Sequence, residues 1–318
     1  MPTADWGAVL ARLGSSRGAG LEVSEGVPLA GRTTFKIGGP ARVVARCRSR
    51  EAVLACLATC GEAGVPWLVL GLGGNVLVPD AGLDAVVLVL EGELAGLERR
   101  GPRFLVGGGL PLAKLVRAAV DASLAGVECL GGIPATVGGA LAGNAGAYGQ
   151  EILDVLDWAE VVDGEGQVRR MERWEIEGGY RWSVLGTGRV VTTAEFVLVP
   201  ERPEVLAERV RLARERRRAA IPPEPSAGSI FRNPPGDHAG RLLELVGCKG
   251  LRRGGAMVSQ QHANVIVNLG GASAADVREL IAEMARRVRE RFDVVLELEV
   301  KVLEPDGSVT ARPPHDLA

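Results

Sequence analysis

Residues 131–150 read GGIPATVGGALAGNAGAYGQ, a glycine-rich stretch carrying one proline, one asparagine and one tyrosine. It has no run of large apolar side chains, so it does not read as an ordinary core helix or strand. Glycine lacks Cβ and reaches positive φ, which lets backbone N–H groups come close to an anion or a flat ring. Two readings stay open on these grounds: a cradle for a phosphorylated cofactor, and a set of tight turns between buried strands. The glycine spacing fits the dinucleotide fingerprint GxGxxG poorly, and that pattern says little without a strand before it and a helix after it.

Two further glycine turns lie upstream. The segment 66–90, PWLVLGLGGNVLVPDAGLDAVVLVL, places Gly71, Gly73, Gly74 and Asn75 between two apolar β-type runs. Gly107–Gly109 follows the strand RFLV at 103–106 and precedes a helix that opens near Pro111 with Leu112, Leu115, Val116 and Ala119 inward. Turns near 71, 107 and 131 therefore each follow or interrupt β-type sequence. Strands that open into small residues are where α/β proteins place phosphate and ring contacts.

Elsewhere the elements read from local signals. Ser49 caps a helix carrying Val53, Leu54 and Leu57, which Gly64 and Pro66 terminate. Past Gln150 come polar-alternating strands at 158–163 and 190–199, with GGYRWS at 178–183 between them. A helix from about Glu201 to Ala219 opens on acidic and closes on arginine residues, matching its macrodipole. In 222–234, PPEPSAGSIFRNP, prolines pin both ends, so Ser229 sits in a stiff irregular segment. ANVIVN at 263–268 is a buried strand; Ser273 and Asp276 form a capping box for a helix with Val277, Leu280, Ile281, Met284 and Val288 on one face. The alternation VVLELEVKVLE at 294–304 predicts one continuous strand with Leu296, Leu298, Val300 and Val302 inward and Glu297, Glu299 and Lys301 opposite.

Bulk properties narrow the classes. At 318 residues the chain is long enough for two domains. Its formal charge of −2 leaves no global basic field for nucleic acid or a membrane surface, so an anionic ligand must be held locally. The N-terminus lacks a basic region followed by an apolar core, and the run Val65–Val78 is too short and glycine-rich to span a bilayer; a cytoplasmic chain is expected. Five cysteines without a CxxC pair read as reduced, buried thiols, and no metal site is expected. The only histidines are His238, His262 and His315, which excludes a Ser-His-Asp centre in the first 237 residues.

Seven segments in order, TTFKIGGPA (33–41), LGLGGNVLV (70–78), GIPATVGGALAGNAGAYGQE (132–151), GYRWS (179–183), PSAGSIFRNP (225–234), GGAMVSQQHANVIVN (254–268) and LELEV (296–300), resemble the bacterial UDP-N-acetylenolpyruvoylglucosamine reductases. The resemblance implies an α+β fold: an FAD-binding region of vanillyl-alcohol-oxidase type over 31–200, preceded by an N-terminal extension (1–30), and a smaller α/β substrate-binding domain over 201–318. It implies non-covalent FAD held by Gly71, Gly73, Gly74, Asn75, Val76, Gly132, Ile133, Pro134, Thr136, Gly138, Gly139, Asn144, Gly146, Ala147 and Tyr148. NADPH is the implied co-substrate and a UDP-sugar the implied substrate, with neither nucleic acid nor membrane as a partner.

In the implied reaction, hydride passes from NADPH through FAD to the enolpyruvyl group. The site must then stabilise an enolate and protonate it. Ser229 matches the family's proton donor, Arg181 the arginine that suits a carboxylate becoming an enolate, and Glu299 the active-site glutamate, with Glu297 ranked below it. Asn233 and the SQQH segment at 259–262, up to His262, match substrate contacts, together with Arg181. Two positions depart from the family pattern: GLGGN lacks a serine common after the second glycine, and GYRWS has Trp182 where aspartate is common. With only Tyr148 and Tyr180 in the chain, it resembles the shorter subclass without a lid tyrosine. A flavin oxidase of the same superfamily and a non-catalytic UDP-sugar or flavin-binding module remain alternatives at this point.

Overall fold

The computed structural model describes residues 5–16 and 20–310; residues 1–4, 17–19 and 311–318, His315 among them, lie outside the described residues. The chain forms two compact units, each assembled from three segments. The first comprises Met1–Glu25, Val43–Leu72 and Ala85–Arg214, and the second Gly26–Arg42, Gly73–Asp84 and Glu215–Ala318.

This division differs from the contiguous blocks 1–30, 31–200 and 201–318. Residues 1–25 group with the first unit, where Val9, Leu13 and Leu21 are buried in an apolar cluster with Val53, Cys56 and Leu57. Segments 26–42 and 73–84 group with the C-terminal half, and pairing between distant residues is the reason. Val76–Leu77 runs parallel to Lys301–Val302, the Asp80 carboxylate accepts the N–H groups of Ala274 and Ala275 (2.8 and 3.1 Å), and Asn268 donates to the Phe35 carbonyl (3.0 Å).

In the first unit, helix α1 (Trp6–Ser15) starts at Asp5, whose side chain accepts the Ala8 N–H, and α2 (Arg50–Ala63) starts at Ser49, which accepts from Ala52. Gly64, in the left-handed region, ends α2. A four-stranded sheet, most of whose residues belong to this unit, runs in the order Leu21–Pro28, Pro40–Cys47, Leu83–Leu90, Trp67–Val69. An antiparallel five-stranded sheet follows the order Val168–Glu172, Leu156–Asp163, Arg189–Val197, Arg103–Gly107, Leu97–Arg100. Helix α3 (Leu112–Asp121) buries Leu112, Leu115, Val116 and Ala119, the face its periodicity predicts, against a core containing Phe104 and Phe196. The short α4 (Val137–Ala142) lies inside the glycine-rich stretch. A longer helix, α5 (Pro203–Ala220), leaves the first unit after Arg214 and continues into the second.

The second unit holds an antiparallel sheet in the order Ser226–Ser229, Val265–Asn268, Ala256–Val258, Arg252–Arg253. Helices α6 (Ala239–Leu245) and α7 (Ala274–Phe292) bury an apolar face each, that of α7 formed by Val277, Leu280, Ile281, Met284 and Val288. The predicted capping box of α7 is present, Ser273 accepting from Asp276 N (3.0 Å) and Asp276 from Ser273 N (2.9 Å).

The continuous strand expected over 294–304 is replaced by a single bridge, Leu298 to Phe231, and the two-residue strand Lys301–Val302. Its burial alternation holds, since Leu296, Val300 and Val302 are buried. The ladder breaks because the Ile230 carbonyl accepts both Glu299 N (2.8 Å) and Val300 N (3.3 Å), after which the chain changes partner to Asn75–Leu77. Among the described residues no helix is long and apolar enough to cross a membrane. All five cysteines are free thiols, and Cys47, Cys56 and Cys60 lie in the core.

Removing one half of the α7 capping box tests this account of the helix start. Ser273→Ala is expected to lower the unfolding free energy by about 1 kcal/mol, read as a lower urea midpoint at unchanged m value. An unaltered midpoint would show that the Asp80 carboxylate alone suffices to cap the helix.

Candidate functional site

The glycine-rich stretch is fixed from beneath by backbone bonds. Gly138 N donates to Gly108 O (2.7 Å), Val137 N to Leu110 O (2.8 Å), and Leu112 N to Ala135 O (2.9 Å). Thr136 caps α4 by accepting the Gly139 N–H (3.3 Å), and Gly71 lies so close to it that a β-carbon there would stand 2.6 Å from Thr136 Oγ1. The turns near 71, 107 and 131 thus meet within the first unit. On the outer side the backbone at Gly132, Pro134 and Gly139 is exposed, Ile133 and Ala147 are half-buried, and no acidic side chain occurs from 131 to 149. A surface of small residues and open backbone without carboxylates fits a phosphorylated cofactor with a flat ring.

Arg181 stands beside this surface on a hairpin in which only Gly178–Gly179 and Trp182–Ser183 pair. Its guanidinium donates to Gly146 O (3.2 Å) and lies 5.1 Å from the centre of the Tyr180 ring. Asn144, Tyr148 and Arg181 all take left-handed backbone conformations (φ 40°, 54° and 64°), which residues with a β-carbon rarely adopt. Such outliers cluster where surrounding structure dictates the geometry. The Asn144 side chain is spent inside the protein, on Glu151, Gly179 and Leu153. A cofactor contact at this position would therefore use its backbone.

In the second unit, Gly73 and Gly74 form a turn whose Gly73 carbonyl accepts both the N–H and the hydroxyl of Thr34 (3.1 and 3.2 Å). Asn75 Nδ2 donates to the Glu299 carbonyl (3.0 Å) and the Asn75 carbonyl accepts Lys301 N (3.1 Å), while Val76 pairs with Lys301. Asn75 and Val76, expected as cofactor contacts, therefore hold the segment that carries Glu299. Ser229 ends the strand Ser226–Ser229 just after a register shift, and Gly228 takes φ 76° there, a bulge that redirects the following side chain. Asn264 then grips Phe231 on both sides, Oδ1 accepting its N–H (2.9 Å) and Nδ2 donating to its carbonyl (2.8 Å). Ser229 and Glu299 are thus on neighbouring backbone segments joined through Ile230. Glu297 points to solvent, with a side chain 76% exposed.

A cavity of about 400 Å³ opens beside Ser229 and is lined also by Asn233, His262 and Asn264. Ser229, Asn233, His262 and Gln261 of the SQQH segment converge on it, and His238, Arg241 and Glu244 line it without having been singled out. Nothing in local sequence marks those three, because the region of α6 meets the 259–264 loop only in the folded unit. Asn233 Oδ1 accepts Ala239 N (3.1 Å) at the start of α6. Arg241 and the His238 N–H hold the Asp237 carboxyl down to about 2. Burial, aided by the Lys249 charge, lowers His262 below its ordinary value against the opposing effect of Glu244, and its Nδ1 accepts Asn264 N (3.1 Å). Arg232 Nε is buried without a hydrogen-bond partner among the described residues.

Comparison with known proteins gives these features a class. The FAD binding domain family matches residues 41–172, and the C-terminal domain of UDP-N-acetylenolpyruvoylglucosamine reductase matches 221–303. The chain is an FAD-containing oxidoreductase with an α+β fold. The reductase of Syntrophotalea carbinolica is 43% identical over 298 residues, covering 92% of this chain and 97% of that protein. That of Rubrobacter xylanophilus is 44% identical over 278 residues, covering 87% and 93%. The crystal structure of UDP-N-acetylenolpyruvylglucosamine reductase from Thermus caldophilus matches with a TM-score of 0.77 at 39% identity, over 89% of this chain and 98% of that one. The chain belongs to the UDP-N-acetylenolpyruvoylglucosamine reductase family.

The lowered His262 gives a pH test. The unfolded chain binds a proton near 6.5, the folded chain only below that, so this contribution is full above 6.5 and is lost as pH falls through 6.5 toward the folded value. His262→Gln is expected to flatten the decline in urea midpoint between pH 7.5 and 5.5 relative to wild type. Parallel pH profiles for the two proteins would refute a buried neutral imidazole.

Proposed function

We propose that this protein reduces the enolpyruvyl ether of a UDP-N-acetylglucosamine enolpyruvate to UDP-N-acetylmuramate, with NADPH as reductant, and so acts in the cytoplasmic synthesis of peptidoglycan precursors. The observation that carries this reading is the Ser229–Glu299 arrangement: two side chains of matching motifs, set on adjacent segments by Ile230, Asn75 and Asn264, beside a cavity lined by Asn233 and His262. FAD, held along the exposed glycine surface, supplies the chemistry of hydride transfer from NADPH to the substrate alkene.

The chain's own residues do the remainder. Hydride addition at the terminal alkene carbon leaves negative charge on the carbon beside the carboxylate. Arg181 binds that carboxylate, and its fixed fork gains strength as the enolate develops. The Ser229 hydroxyl then donates its proton to the carbanionic carbon. Before transfer the neutral hydroxyl adds no charge beside the substrate carboxylate, and the alkoxide left by the transfer regains a proton from solvent. Glu299 aligns the substrate and assists proton delivery. Asn233 and His262 contact the UDP-sugar in the cavity. The remaining glycine-surface residues, from Gly132 to Tyr148, serve the cofactor, as do Gly71, Gly73 and Gly74.

Anaerobic titration of the purified, FAD-loaded protein separates the two half-reactions. NADPH is expected to bleach the flavin absorbance, and the enolpyruvyl UDP-sugar to restore it. Ser229→Ala should leave bleaching within about twofold of wild type and slow the restoration by several orders of magnitude. Equal losses in both halves would remove Ser229 from the protonation step, and failure of the UDP-sugar to reoxidise wild-type flavin would remove the proposed substrate.

A further inference from the structure

The hairpin that bears Arg181 is too short to fix itself, since its two paired positions on each side give it little independent stability. Yet Arg181 holds a left-handed conformation at its tip. Such a conformation persists only where neighbours over-determine it.

Those neighbours come from the glycine-rich stretch, in three rungs. The Ser183 hydroxyl donates to Leu141 O (2.6 Å), Asn144 Nδ2 donates to Gly179 O (3.2 Å), and Arg181 donates to Gly146 O (3.2 Å). Asn144 and Ser183 are both buried, at 2% and 4% exposure. Asn144 is further fixed by Glu151, which accepts its Nδ2 at 2.6 Å, and by Leu153, whose N–H it accepts at 3.4 Å. Buried polar groups satisfied on every side specify one geometry. Asparagine also tolerates the left-handed backbone required at this point (φ 40°).

We propose that Asn144, seconded by Ser183, is a positioning residue that ties the Arg181 hairpin to the flavin-facing stretch, so that the arginine is set for the substrate carboxylate by the same backbone that cradles the cofactor. The inference rests on the role given above to Arg181. Neither residue touches the reacting atoms; both act through Arg181.

A double-mutant cycle on the rate of flavin reoxidation by the enolpyruvyl UDP-sugar tests this. Asn144→Asp keeps the side-chain shape and the acceptor for Leu153 while losing the donor to Gly179 and Glu151. It is expected to slow reoxidation and raise KM for the UDP-sugar by about tenfold; Ser183→Ala, which lies outside the cofactor-binding residues, is expected to leave NADPH bleaching and the bound-flavin spectrum unchanged. In an Arg181→Ala background Asn144→Asp should change reoxidation by less than about twofold. Ser183→Ala, which introduces no new charge, is expected to behave alike and serves where Asn144→Asp fails to fold. An equal slowing in both backgrounds, or loss of FAD from both variants without coupling to Arg181, would overturn the inference. If Arg181→Ala alone leaves reoxidation unaltered, the role of Arg181 falls, and this outcome is distinct from the additive one.

Discussion

A β-carbon on Gly108 would stand 1.9 Å from the Val191 carbonyl oxygen, so the two backbones pass with no room for any side chain. On its other side the Gly108 carbonyl accepts the Gly138 N–H at 2.7 Å. This contact lets the end of strand Arg103–Gly107, the middle of strand Arg189–Val197 and the start of α4 share one spot in the first unit. The glycine surface, the Thr136 cap and the Gly71 turn all build on it. Glycine in this region therefore meets two demands together, close packing beneath and open backbone above. Close-packed turns and the proposed cofactor cradle are therefore compatible readings of the same stretch.

A second device recurs around the side chains proposed to carry the chemistry. Each sits on a short irregular segment, where a sheet ladder would have forced the side chain to a fixed face, and an asparagine takes the place of the missing strand partner. Asn264 brackets Phe231 beside Ser229, Asn75 holds the carbonyl of Glu299, and Asn144 ties the hairpin of Arg181. The amide side chain suits the task because it both donates and accepts, as a peptide group does. Partners of this kind answer the requirement that buried backbone N–H and C=O groups be paired.

What the sequence discloses follows from the range of the interaction concerned. Helices α2, α3 and α7 are legible because caps and 3.6-residue periodicity are local: Ser49, Gly64 and the Ser273–Asp276 box act within a turn of the residues they stabilise. The burial alternation of 294–304 is legible for the same reason, but the pairing is not. Whether a strand continues depends on which partner lies alongside, and here the Ile230 carbonyl claims two successive N–H groups. The grouping of 26–42 and 73–84 with the C-terminal half is likewise invisible locally, since it comes from parallel pairing of Val76 with Lys301. Asn144 shows the limit most sharply: a motif marks the residue as important without saying that its side chain faces inward.

The electrostatics around Ser229 bear on the choice of proton donor. Asp237, which precedes the cavity-lining His238 in the chain, is held at about 2 by Arg241 and the His238 N–H, so at neutral pH it is an anion with no proton to give. His262 is pushed down by burial and the Lys249 charge, so it is neutral there and its Nδ1 is occupied as an acceptor by Asn264 N. A neutral imidazole is a far weaker acid than an imidazolium, and forming the cation beside Lys249 is disfavoured. Glu244 is paired with Lys249 at 2.8 Å. Asp237 and His262 are thus unsuited by their surroundings, whereas a hydroxyl loses nothing by burial in its neutral form. A carbanion beside a carboxylate is basic enough to take a proton from such a weak acid, provided the donor is already in place. The bulge at Gly228 and the Asn264 clamp fix the backbone around Ser229, which is what the proposed role as proton donor requires of the 226–233 segment.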